Sequence, residues 1–188
     1  IPELVDQEDG DPFHDVRPLV YSIAPWLSAV TNMGLHRLPF GIAVRSTKYL
    51  QSLTDYVYQN GLFDVSYSGS GDIQKLTLNA DPLLHTLQIP LDQIKPGDNE
   101  LIVHMQKDSR MKNTLVSSTV ELQSVSGKTD PEYVVRAYGQ NVLRFINLNR
   151  SVNIQDTNRK TVQYETHSLD DWTLIEFSGR GVFKVTLK

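Results

Sequence analysis

The sequence predicts a mainly β protein, an antiparallel β-sandwich of jelly-roll-like form with one short α-helix near residues 47–59. Three observations predict it. From Phe63 onward the apolar residues recur with period two, in runs of about five residues. Clusters of Gly, Pro, Asn and Asp separate those runs. One stretch, Thr47–Gln59, carries apolar residues at the 3–4 spacing of a helix instead.

In chain order, residues 1–15 (IPELVDQEDGDPFHD) are acidic, hold two prolines and a Gly-containing turn, and read as an arm or linker outside the core. Residues 16–188 form the β-sandwich region. Leu19–Ile23 and Phe40–Val44 read as strands, and Trp26–Met33 fits either a strand or a helical turn, because short apolar runs carry no distinguishing period. Ser46 is a suitable N-cap for the expected helix, Tyr49, Leu50, Leu53 and Val57 form its stripe, and Asn60-Gly61 its stop. Alternation then marks Phe63, Val65 and Tyr67; Ile73, Leu76 and Leu78; Leu87 and Ile89; and Leu101, Val103 and Met105. The turns between them are Ser68–Asp72, Asn79–Pro82 and Lys95–Asn99. FDVSYSGSGDIQKLTLN, from Phe63, is echoed by YVVRAYGQNVLRFINLN, from Tyr133. Either the region holds two related β units (62–106 and 132–188), joined by exposed connections at Lys107–Asn113 and Ser124–Pro131, or two hairpins meet the same turn chemistry.

Composition narrows the function classes. With 39% hydrophobic and 21% charged residues, 188 residues can bury a core of ordinary size. There is no cysteine, so disulfides, thiolate nucleophiles and thiolate zinc sites are excluded. The net charge is −4 and the basic residues are dispersed, which argues against nucleic acid as a partner. No apolar run reaches the roughly 20 residues of a membrane-spanning helix. The chain starts at Ile1, not at methionine, as a processed protein or a piece of a larger polypeptide would.

The candidate chemistry is sparse. His14, His36, His85, His104 and His167 share no metal-binding spacing. The run Asp6–Asp11 places Val5 at the first ligand position of a calcium loop, so a solvated arm is the better reading. No nucleophile elbow, phosphate-cradling loop or cofactor motif occurs; the glycines of Gly69-Ser70-Gly71 and Gly179-Arg180-Gly181 read as turns between strands. Asn149-Arg150-Ser151 is a formal glycosylation triplet that chance explains equally well. Glu165, Asp170, Asp171 and Glu176 flank Trp172, the arrangement of paired carboxylates beside an aromatic that glycosidic cleavage uses. Asp170-Asp171 reads as a turn, however, and no catalytic residue is assigned. In the strand that follows, Ile175 and Phe177 form the more apolar face, which leaves Trp172 beside Glu176 on the wetter one. Trp172 and Tyr138, with Glu176, are therefore the candidate sugar-contacting residues, against the plainer expectation that large aromatics belong to the core.

The segment LTLNADPLLHTLQIPLDQIKPGDNELIVHM, Leu76 to Met105, resembles a pattern in accessory β-sandwich domains of large carbohydrate-active enzymes. There a strand ends at Leu-Asn, a second reaches Ile-Pro, and a Pro-Gly-x-Asn turn leads into a strand of the Glu-Leu-Ile-Val type. The C-terminal run WTLIEFSGRGVFKVTLK resembles the closing strands of such domains. Ala80 departs from the pattern, which usually has glycine after Leu-Asn. The resemblance implies a non-catalytic accessory region of a larger glycan-processing enzyme, a parent of the glycoside hydrolase kind, that packs on the catalytic domain and contacts carbohydrate. The alternative is an extracellular or virion structural module for protein–protein contact; the favoured setting is extracellular or cell-surface. For the fold, circular dichroism should show mostly sheet, and a helix content above about 35%, the ordinary globular level, would contradict the β reading.

Overall fold

The computed structural model describes residues 34–48, 51–108 and 111–188. The acidic arm, the strand expected at Leu19–Ile23 and the segment Trp26–Met33 lie outside them. The fold is mainly β and sandwich-like, and no α-helix occurs among the described residues. A hairpin of β1 (Leu35–Leu38) and β2 (Gly41–Val44) comes first. β3 (Ser52–Tyr58), β4 (Gly61–Gly69), β5 (Asp72–Leu78), β6 (Asp81–Leu83) and β7 (Gly97–Gln106) build one sheet. β8 (Thr114–Ser118), β9 (Glu121–Ser126), β10 (Glu132–Ile146), β11 (Val152–Asp156), β12 (Tyr164–Leu169) and β13 (Trp172–Leu187) build another.

The helix expected at Thr47–Gln59 is a strand from Ser52 on. Thr54, Tyr56, Val57 and Tyr58 are residues that pleated sheets favour. A bulge at Asp55 (φ 57°), whose N–H donates to Asp64 Oδ1 at 3.1 Å, adds a residue to the edge strand, so the inward positions fall at Leu53, Tyr56 and Tyr58. The extra residue breaks the alternation and leaves a spacing that mimics a helix. Val57, expected in the buried stripe, is 65% exposed. Asn60-Gly61 ends no helix: Gln59-Asn60 closes a two-residue hairpin in which Tyr58 pairs with Gly61.

The first sheet runs β3-β4-β7-β5-β6, and its centre departs from the antiparallel expectation, because β4 and β7 pair in parallel. The chain leaves β4, crosses the end of β7 and enters β5. Glycine is needed for that crossing. A Cβ on Gly69 (φ 84°) would run into the Met105 carbonyl, and one on Gly71 would come within 2.8 Å of Lys107 Cα. Asn79 (φ 54°) and Ala80 (φ 71°) form the two-residue turn into β6, so alanine does occupy the left-handed position where the resembling domains use glycine. Asn99, almost fully buried, ties the Pro96-Gly97 turn. Its Nδ2 donates to the carbonyls of Lys95 and Gly97, both at 2.8 Å, and its Oδ1 accepts from the Lys95 N–H and Asn79 Nδ2. Phe63, Val65, Leu76, Leu101 and Val103 fill the inner face together with Ile42 and Val44 of the hairpin. Each such side chain contributes about 1.5–3 kcal/mol by leaving water.

The second sheet is organised by one long ladder, β10 against β13, from Glu132↔Thr186 to Ile146↔Trp172. β9 and β8 flank successive halves of β10, and β11 and β12 flank opposite halves of β13. Gly139 and Gly179-Arg180-Gly181 are thus not turns between strands but points inside continuous strands. There the ladder bends: buried Asn141 donates from Nδ2 to the carbonyls of Gly139 (2.6 Å), Phe177 (3.1 Å) and Gly179 (3.2 Å). A Cβ on Gly179 would stand 2.6 Å from the Phe183 ring, which occupies the space instead. The odd-numbered residues of both strands face inward. Tyr133 and Phe145, near opposite ends of β10, meet edge-to-face at 5.7 Å, so the sheet folds over on itself around a second core.

The segment His85–Ile89 joins the two. Leu87 and Ile89, expected in a strand, lie outside both sheets and bond to β2 on one side (Val44 N–H to Leu87 O, 2.7 Å; Ile89 N–H to Ile42 O, 2.9 Å) and β8 on the other (Leu87 N–H to Leu115 O, 2.7 Å; Leu115 N–H to His85 O, 2.9 Å). Gln88, 0% exposed, donates from Nε2 to Val120 O at 3.3 Å and accepts at Oε1 from Ser118 Oγ at 2.7 Å. The crossing over β7 makes a comparison of two alanine variants decisive. Gly69→Ala and Gly97→Ala both place a side chain at positive φ, but only Gly69 meets backbone, since nothing lies within 4 Å of a Cβ at Gly97. Urea unfolding should show a loss of about 1 kcal/mol for Gly97→Ala and a clearly larger loss for Gly69→Ala; equal losses would contradict the crossing.

Candidate functional site

Two places along the junction of the sheets gather chemistry. The first is an open face around Tyr138. Tyr138 lies on the outward side of β10, just before the bend, and is 44% exposed. Phe40, at the tip of the β1–β2 hairpin and 37% exposed, stacks on it with ring centroids 4.5 Å apart and planes 23° from parallel. The Tyr138 hydroxyl donates to Glu121 Oε2 at 3.1 Å, which fixes the ring's long axis. Glu121 Oε1 accepts from Gln123 Nε2 at 3.3 Å and stands 3.9 Å from Arg136 Nε. The result is an exposed aromatic plate whose rim offers a carboxylate, an amide and a guanidinium. Arg37 lies 6.0 Å from the ring of Tyr58, whose phenol burial pushes upward.

The second place is a cleft of about 650 Å³ between the sheets. Val44, Ile73 and Leu87 line it from the first core and its hairpin; Val116, Ile146 and Trp172 line it from the second sheet. The burial pattern of β13 puts Trp172, Leu174 and Glu176 on the outward face and Ile175 and Phe177 inward, as the alternation of the strand implies. Outward from its own sheet, Trp172 packs against the core of the other. The Arg144 guanidinium lies over its ring, 3.9 Å from the centroid. Cross-strand register explains the meeting: Ile146 opposes Trp172 and Arg144 opposes Leu174, so Arg144 and Trp172 are diagonal neighbours on one face. Arg45, Asp72, Asp171 and Asn147 supply the polar lining. Burial first, and then the Arg45 charge, hold His36 on β1 below the ordinary histidine range.

The three residues singled out in the sequence therefore do not converge. Trp172 is a wall of the cleft with one ring face taken by Arg144. Tyr138 lies away from it, eight positions along β10 from Ile146, the partner of Trp172. Glu176 stands half-buried on β13, opposite Glu165 of β12 and Val142 of β10. Asp170-Asp171 is the tip of the β12–β13 hairpin, with Asp170 at φ 49°, and Glu165 is exposed, 3.7 Å from His167. Of the four carboxylates around Trp172, only Asp171 lines the cleft. Phe40, Glu121 and Arg144, which complete the two places, carry no local signal in the sequence; they are brought in by strand register and by the hairpin's seat. Among the described residues no group of three or more His, Asp or Glu side chains is arranged to hold a metal ion, and no helix is long and apolar enough to cross a membrane.

Comparison with protein-family models, with curated proteins and with solved structures returns no match. The chemistry of these two places is what bears on function. Their different burial sets a test of placement. Trp172→Ala should lower the unfolding free energy by about 3 kcal/mol, through lost packing against the first core. Tyr138→Ala, which loses a surface stack and one exposed hydrogen bond, should cost about 1 kcal/mol or less. Chemical denaturation of both variants checks the contrast, and a reversed order would mean that the two rings are misassigned.

Proposed function

We propose that this chain is a non-catalytic accessory region of a larger glycan-processing enzyme, packing on the catalytic part and contacting carbohydrate through the Tyr138 face. The observation that carries the reading is the Phe40–Tyr138 stack, left exposed and held in place by Glu121. A pyranose presents a ring of C–H groups on one side and hydroxyls around its edge. An aromatic plate receives the C–H side, while a carboxylate, an amide and a guanidinium at the rim accept from and donate to the hydroxyls. Such a surface needs rigidity to bind at useful strength, because freezing a mobile ring costs about 0.5–1.5 kcal/mol. Here Phe40 and Glu121 hold Tyr138 before any ligand arrives. The resemblance of Leu76–Met105 to accessory sandwiches of carbohydrate-active enzymes points the same way.

A second reading, an extracellular or virion module for protein–protein contact, is favoured by a different observation. Among the described residues β12 pairs with β13 alone; its residues beyond Tyr164 are exposed, and Leu169 at its end is 59% exposed. An open sheet edge is a template for another chain's strand.

Retention on neutral polysaccharides, insoluble and soluble, separates the readings. Tyr138→Ala should abolish retention with the melting temperature nearly unchanged, and Phe40→Ala should weaken it. Retention that survives Tyr138→Ala undiminished would remove the Tyr138 face as the contact, and no retention by the unaltered chain on any polysaccharide would favour the protein-contact reading.

A further inference from the structure

We infer that the cleft between the sheets is a second binding site, specific for an acidic saccharide, with Arg144 as the residue that reads the carboxylate. The inference rests on the carbohydrate reading for its ligand class, but on none of the residues of the Tyr138 face.

Arg144 is placed as a ligand-reading arginine would be. It projects from β10 into the cleft, half-buried, with its guanidinium 3.9 Å above the Trp172 ring. A guanidinium lying on an aromatic face keeps its N–H groups in its own plane, aimed sideways, where a planar carboxylate can meet two of them at once. Contact with the ring also restricts the group, so less rotamer freedom is lost on binding. Among the described residues no carboxylate lies within ion-pair distance of Arg144, nor of Arg45, which lines the same cleft; their acid-paired counterparts on this chain are Arg136 and Arg150. A partly desolvated cation with no carboxylate in ion-pair contact gains from a direct counter-charge. An anionic ligand would supply that counter-charge.

The rest of the lining narrows the ligand. Val44, Ile73, Val116 and Ile146 give apolar walls that suit the C–H faces of a sugar ring. Asn147, Asp72 and Asp171 can bond hydroxyls, and the two aspartates repel a ligand of high negative charge density, such as a polyphosphate. One carboxylate amid several hydroxyls satisfies both arginines and both aspartates. The volume, about 650 Å³, lies within the roughly 300–1,000 Å³ typical of ligand sites.

Trp172 reports on this cleft directly. With Trp26→Phe, it is the only tryptophan left, and its emission can be followed while trisaccharides of galacturonate, glucuronate and mannuronate are added, each beside the neutral trisaccharide of the same sugar. At least one acidic trisaccharide should give a saturable change, with the neutral counterpart about tenfold weaker or more. Arg144→Gln should weaken the acidic ligand about ten- to a hundredfold, Arg45→Gln should weaken it less, and added sodium chloride should weaken it progressively. Tyr138→Ala should leave this binding intact, so loss of polysaccharide retention in that variant and failure of the cleft are separate outcomes. No saturable change with any of the three acidic trisaccharides would overturn the inference. So would equal affinity for acidic and neutral forms, or indifference to salt in the unaltered chain, a readout that does not depend on Arg144→Gln folding.

Discussion

The arrangement of this molecule depends on the seating of one short segment, His85–Ile89, and within it on the side chain of Gln88. The two sheets have separate cores and share no strand. What holds them in register is a strip of backbone that gives hydrogen bonds to β2 along one edge and to β8 along the other. Such a strip needs something to stop it sliding. Gln88 is wholly buried, and a buried primary amide is tolerable only when its donors and acceptor are matched. Val120 O and Ser118 Oγ match it on the second sheet, and Gly41 leaves room for it on the hairpin, where a Cβ would stand 3.0 Å from Nε2. Thr86 closes the turn beneath it, accepting from the Gln88 N–H at 3.0 Å and donating to the Gln88 carbonyl at 2.7 Å. Tyr133, from the heart of the second core, adds a hydrogen bond from its hydroxyl to His85 O at 2.9 Å. A leucine at position 88 would bury more apolar surface but would lose the side-chain bonds to Val120 and Ser118 that help to set the register.

Both candidate surfaces follow from that seam. Phe40 belongs to the hairpin that the segment holds, and Tyr138 belongs to the strand pair that β8 and β9 flank, so their stack exists only while the seam is fixed. The cleft has the same origin. Trp172 and Ile146 lie on the outward face of the second sheet, and apolar residues there would be exposed if the first core were not set against them. At this point Arg144 and Trp172, the guanidinium over the ring, line the space between the two layers. The bend in the long ladder matters as well. Asn141, Gly139 and Gly179 turn β10 and β13 back on themselves, which places Tyr138 at the crest and Arg144 and Trp172 on the descending half.

Much of the fold was legible from alternating apolar residues. Phe63–Tyr67, Ile73–Leu78 and Leu101–Met105 form strands with the expected inward faces, and Ile175 and Phe177 face inward as their alternation required. Where local patterns failed, non-local contacts had decided. The bulge at Asp55 disguised β3 as a helix, because an extra residue on an edge strand shifts the phase of alternation. The parallel pairing of β4 with β7 was hidden, since Gly69-Ser70-Gly71 has the composition of a tight hairpin and crosses over another strand instead. Gly179-Arg180-Gly181 looked like a turn, but glycine serves a bend or a close ring contact equally well, here beneath Phe183. The site was less legible still. Tyr138 and Trp172 stood out as large aromatics, whereas Arg144, Glu121 and Phe40 became relevant only through register and seating, which no short window of sequence contains.

Amide hydrogen exchange tests the seam most directly. If His85–Ile89 locks the sheets together, the N–H groups of Val44, Leu87, Ile89 and Leu115 open only when the whole structure unfolds. They should then share the opening free energy of amides deep in the ladders, such as those of Leu101 in β7 and Val135 in β10. Exchange of these four amides orders of magnitude faster than that of Leu101 and Val135 would contradict the account, since it would show two sheets that move apart while each stays folded.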